Sequence, residues 1–113
     1  MGELSVIELV GKSKKLKVTV LRRFAPGEVF DEAPIGVGEM GKCSVFRDGE
    51  EFVVGAGGVM PEGFCVWAWD DIYKSVLTLR YNGDFPWFTE EGATVTCCTD
   101  GLRPVIFRIE RME

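Results

Sequence analysis

The side chains able to do nucleophilic or soft-metal chemistry here are Cys43, Cys65, Cys97 and Cys98, because the 113-residue chain has no histidine. That absence removes Ser-His-Asp and Cys-His nucleophile activation, His-Glu-x-x-His zinc sites and Cys/His zinc fingers together. Cys65 is the first nucleophile candidate. It stands at the expected start of a helix, where unpaired N–H groups and the helix dipole favour a thiolate. Glu62, Asp70 and Asp71 oppose this with negative charge, and the alternative is a cysteine used as a small buried hydrophobe. Cys97 and Cys98 are neighbours in an expected strand, so they face opposite sides of the sheet. Cys97 shares its parity with Val95 and is expected to face the core, leaving Cys98 on the side of Thr94 and Thr96. One tetrahedral site made of all four thiols is therefore awkward. Cys43, Cys65 and Cys97 form the trio that would suit zinc, copper(I) or an iron–sulfur centre, although no Cys-x-x-Cys spacing supports it. The sequence requires no cofactor.

Gly36-Val37-Gly38-Glu39-Met40-Gly41-Lys42-Cys43 contains Gly-x-Gly-x-x-Gly and lacks only a hydroxyl at Cys43 to match the phosphate-binding Gly-x-x-x-x-Gly-Lys-Ser/Thr loop. Such loops work when a strand delivers the glycines to a helix N-terminus. No strand is expected before this one and no helix after it, so it is read as a glycine-rich surface loop.

Aromatic residues gather between Phe64 and Phe88, including Trp67, Trp69, Tyr73, Tyr81, Phe85 and Trp87. Trp67 and Trp69 are about 200° apart on a helix, so they cannot both face the core. Trp69 is expected on the apolar stripe with Ile72, Tyr73, Val76 and Leu77. Trp67 then shares the polar side with Asp70, Asp71 and Lys74 and needs a cover, either the Phe85-Pro86-Trp87-Phe88 loop or a partner or ligand.

These groups must be positioned by short elements. Period-two alternation predicts strands over Leu4 to Val10 and Leu16 to Arg22, a second hairpin over Ser44 to Val54 turning at Asp48-Gly49, and a final hairpin from Thr94 to Cys98 and Val105 to Arg111. The stretch from Ala25 to Gly41, with two prolines and four glycines, is expected to be a long functional or mobile loop. Helical spacing predicts one helix from Cys65 or Val66 to Leu79 or Arg80, closed by Asn82-Gly83 with Gly83 in the left-handed cap conformation. The expected fold is α+β, an antiparallel sheet of about five to six short strands with one main helix on one face, in a single domain spanning residues 1–113.

Three segments resemble an uncharacterised family of small prokaryotic proteins of about this size: Met60-Pro61-Glu62-Gly63-Phe64-Cys65-Val66-Trp67-Ala68-Trp69-Asp70-Asp71-Ile72, Phe85-Pro86-Trp87, and Cys97-Cys98-Thr99-Asp100-Gly101-Leu102-Arg103-Pro104-Val105-Ile106-Phe107. The family pattern has Cys-Pro where this chain has Cys43-Ser44 and Cys65-Val66. Both thiols are kept, but the proline that would stiffen the first helical turn is not. The resemblance implies no activity.

With 13 Lys+Arg against 18 Asp+Glu, net charge −5, the chain offers no broad footprint for nucleic acid. No secretory signal and no apolar run of ~20 residues is present, so a cytoplasmic location without membrane partners is expected. The leading expectation is a ligand- or partner-binding module whose site lies where the helix start meets the last hairpin. Cys65, Cys98 and Cys43 would supply thiols, Trp67 and Trp87 an apolar wall, and Asp70, Asp100 and Arg103 polar orientation. The alternatives are a thiol-based redox or Cys-ligated metal protein, and a structural protein that forms homo-oligomers.

Overall fold

The alternation of Leu16, Val18 and Val20 with Lys17 and Thr19 builds one of the two inner strands of the sheet. In the computed structural model, which describes residues 12–112, β1 (Leu16–Arg23) buries all three of those apolar side chains completely. The strand expected over Leu4 to Val10 lies outside the described residues. β1 pairs antiparallel with β2 (Glu51–Val54) on one side and with the last strand of the chain, β4 (Val105–Arg111), on the other. β3 (Ala93–Cys97) pairs with β4 and completes the order β2-β1-β4-β3. The described residues are thus α+β, with four strands in one sheet where five to six were expected of the whole chain.

The missing pairing is that of Ser44 to Phe46. Asp48-Gly49 does turn, with Gly49 at φ +84°, but the turn docks on β1. The Gly49 N–H donates to the Val20 carbonyl and the Val20 N–H to the Glu50 carbonyl. Asp48 accepts from both the backbone and the side chain of Arg23. Phe46 is then driven into the core, 1% exposed, in edge-on contact with Phe52, Phe64 and Phe107. A buried aromatic stabilises by roughly 1.5–3 kcal/mol, whereas one more short edge pairing contributes less. The long stretch from Ala25 holds only one short helical turn, α1 (Pro26–Val29), and from Phe30 to Glu50 no regular element forms.

α2 (Val66–Arg80) lies across β1, β4 and β3. Its buried stripe is Ala68, Ile72, Val76 and Leu79 together with Ser75 and Arg80. Of the expected stripe, Trp69 is half-buried and packs against the core beside Phe64, whereas Tyr73 and Leu77 are exposed. Small Ala68 meets the sheet because Phe46, Phe64 and Phe107 already fill that end of the core. The helix end also differs from expectation. Asn82 takes the left-handed conformation at φ +65°. Gly83 is needed instead for close approach, since a Cβ there would lie 2.8 Å from Thr78 Cγ2 and 2.9 Å from the Thr78 carbonyl oxygen. Among the described residues no helix is long and apolar enough to cross a membrane.

Candidate ligand-binding site

At the end of the sheet where β1 finishes and β4 begins, three separate stretches of chain come together. The register brings Arg23 opposite Val105, so the β3–β4 turn lies beside the end of β1. Arg23 reaches from there to the irregular segment, donating from Nη1 to the Cys43 carbonyl at 2.8 Å and from Nε to Asp48 at 3.0 Å. That guanidinium holds the Asp48 carboxyl below the usual range. The N-terminus of α2 closes the third side. Between these stretches is a cavity of about 320 Å³ lined by Cys43 to Phe46, Cys65, Trp67, Ala68, Cys98, Asp100, Arg103 and Val105.

Cys43, Cys65, Cys98, Trp67, Asp100 and Arg103, all expected at one site, therefore share a single cavity. Trp87 and Asp70 do not belong to it. Trp87 is 71% exposed, sits in the aromatic loop against Phe85 and Phe88, and faces a separate groove beside β3. Asp70 is exposed, one helix position before the carboxylate that is actually used. Cys97 is corrected too: it is exposed, while Cys98 is 7% exposed and packed in the core. The shared parity with Val95 holds, but that face of β3 is the wet one, since Val95 is itself exposed and Thr94 buried. Sequence parity says which residues share a face and leaves open which face is covered. Among the described residues no three Cys, Asp or Glu side chains gather in a way that could hold a metal ion, so the Cys43, Cys65 and Cys97 trio is not assembled.

The polar parts of the cavity are held by local hydrogen bonds. Asp100 accepts at Oδ1 from the Leu102 and Arg103 N–H groups at 3.0 and 2.9 Å, and at Oδ2 from Arg103 Nε at 3.1 Å. Burial by itself pushes the Asp100 carboxyl up, but these N–H groups and the guanidinium outweigh it and leave the group below its ordinary value. Cys98 and Val105 form a reciprocal pair, N–H to carbonyl at 3.1 Å and Val105 N–H to Cys98 Sγ at 3.3 Å. Burial pushes the Cys98 thiol up, more than its backbone donors pull it down, so at neutral pH it is a protonated, apolar wall.

Trp67 is placed by a contact that the spacing did not reveal. Its indole N–H donates to Thr99 Oγ1 at 2.8 Å, and the Thr99 hydroxyl and N–H both donate to the Asp71 carboxylate. This chain of hydrogen bonds staples the first turns of α2 to the β3–β4 turn. The aromatic loop does not cover Trp67; among the described residues no aromatic ring stacks on it, and its ring remains 66% exposed beside the cavity mouth. Arg23, Asp71 and Thr99 were invisible as site residues because their partners are 20 to 32 positions away. The one available signal was the pairing of Asp71 and Thr99 with segments already expected to be neighbours.

No protein-family model, no curated protein and no solved structure matches the chain.

Proposed function

We propose that this chain is a binding module for a small, largely apolar ligand held in the cavity between the start of α2, residues 43–46 and the β3–β4 turn. The observation that carries the reading is the convergence of Cys43, Cys65, Cys98, Trp67, Asp100 and Arg103 on one cavity of about 320 Å³. Its walls are mostly apolar with a few oriented polar groups, and its volume is at the lower end of small-ligand sites. Two of the three segments that resemble the small prokaryotic family, Met60 to Ile72 and Cys97 to Phe107, supply residues to this cavity. Cys98 keeps its proton, so it does not serve as the attacking thiol of a redox site. The four unpaired thiols favour a reducing compartment such as the cytoplasm.

A fragment titration followed by amide NMR tests the reading. Binders are expected to shift Cys65, Ala68, Cys98 and Arg103 together, and Ser44→Trp at the exposed rim is expected to weaken them. Shifts that scatter, or that centre on Trp87, would overturn it.

A second reading rests on a different observation, the exposed cluster of Trp87 and Phe88, which suits a contact between copies of the chain. Sedimentation of the native protein and of Trp87→Ala decides it. A native dimer that dissociates in the variant supports the reading, and a native monomer at ~100 μM removes it.

A further inference from the structure

Among the described residues the one cation on the cavity wall is Arg103, and its side chain is 39% exposed. Asp100, on the same cavity, pairs with it through Nε alone. Both Asp100 oxygens are occupied, by the Leu102 and Arg103 N–H groups and by Arg103 Nε. That arrangement fixes the guanidinium plane by one edge and leaves both Nη groups without a partner among the described residues. An arginine held in this way presents the planar pair of donors that a carboxylate accepts.

A second set of donors lies on the same cavity. The N–H groups of Val66, Trp67 and Ala68 open α2 and have no partner among the described residues, whereas Trp69 already donates to the Cys65 carbonyl. Cys65 supplies no side-chain cap, and the first turn of the 15-residue helix contains no acidic residue. The usual internal anion of a helix start is thus missing on the side where Cys65, Trp67 and Ala68 line the cavity. Apart from Ser44 and the internally bonded Asp100, the rest of the wall, from Val45, Phe46, Val105 and the thiols, is apolar.

We propose that the cavity takes a small monocarboxylate with an apolar tail, its carboxylate on Arg103 and the opening amides of α2 and its tail against Phe46 and Val105. The proposal rests on the reading of this cavity as a ligand site. Among the described residues Arg103 and Asp100 are the charged groups on the cavity, and Asp100 is already taken up by Arg103 Nε and two N–H groups. What remains for a ligand is the outer edge of one guanidinium and the helix amides, which suits a single negative charge; a phosphate dianion needs more counter-charge than this. At roughly 30 Å³ for each water-sized group, the volume holds an acid of about ten heavy atoms or fewer.

Hexanoate and hexanamide, matched in length and differing in charge, are the probes, titrated to about 20 mM with amide NMR as the readout. Hexanoate is expected to shift the Val66, Trp67 and Ala68 amides and the Arg103 side-chain N–H signals, with hexanamide at least about tenfold weaker. Arg103→Gln should bring hexanoate down to the hexanamide level. Cys65→Asp should do the same by a separate route, placing an internal carboxylate on the helix amides while capping the helix and raising Tm. Hexanamide binding as tightly as hexanoate overturns the carboxylate assignment and leaves the ligand site standing. If neither probe shifts a cavity residue, both fall.

Discussion

The indole N–H of Trp67 and the hydroxyl of Thr99 are joined at 2.8 Å across 32 positions of sequence, with Asp71 behind Thr99 completing the link. The start of α2 is therefore tied to the β3–β4 turn by side chains on the helix face that looks away from the core. Asp71→Ala removes the acceptor for two Thr99 donors and should cost about 2 kcal/mol, against about 1 kcal/mol for Thr99→Val, which keeps the backbone contact. Urea unfolding at constant m checks the order, and the reverse order would contradict the arrangement.

Phe46 and Val45 are adjacent, in a segment that belongs to no strand, yet one is 1% and the other 49% exposed. Phe46→Ala should lose about 3–5 kcal/mol. Val45→Ala should change stability by less than ~0.5 kcal/mol. Similar losses from both, measured by denaturant midpoint, would mean that the segment does not anchor the core as described.

Gly58 and Gly49 form a matched pair for the buried Arg80. Both have φ in the left-handed region, +71° and +84°. A Cβ on Gly49 meets nothing within 4 Å, whereas on Gly58 it would lie 2.1 Å from Arg80 Nη1. Arg80 is 4% exposed and donates from Nη2 to the Ala56 carbonyl at 2.7 Å. Gly49→Ala should cost about 1 kcal/mol from backbone conformation alone, and Gly58→Ala at least about 1 kcal/mol more, because the guanidinium loses its carbonyl. Equal Tm losses would sink the Arg80 contact.

The raised Cys98 thiol makes stability fall on the alkaline side. Its folded pKa lies above the unfolded value of ~8.5, so the folded state holds a proton that the unfolded state has already released. The contribution is full below pH ~8.5 and is lost as pH rises towards the folded pKa. Urea midpoints of the native protein and Cys98→Ala, compared at neutral pH and near pH 9.5, should show a steeper alkaline decline in the native chain. Iodoacetamide should label exposed Cys97 long before Cys98 in the folded state.

Much of the frame was legible because it depends on local periodicity. The alternation of Val105, Phe107 and Ile109 fixes the buried face of β4, and helical spacing places α2 within a residue of its observed ends. The hairpin expected over Ser44 to Val54 was not realised, because pairing propensity there lost to two long-range interactions, Phe46 in the core and Arg23 on Asp48. The same limit explains Cys97 and Trp87. Parity and aromatic content are local properties, whereas which sheet face is covered and which loop folds over which helix depend on elements far along the chain.

By itself the sequence determined that imidazole chemistry is absent, that an antiparallel sheet carries one helix, and that Cys65 opens that helix. Tertiary structure alone decided that Cys43 joins Cys65 and Cys98 around one cavity, that Cys97 is left outside, and that the Arg103 Nη groups have no partner among the described residues. The physical reason is range. Backbone periodicity follows from the stereochemistry of neighbouring residues, but a cavity is the space left when segments 20 to 60 positions apart compete for one core.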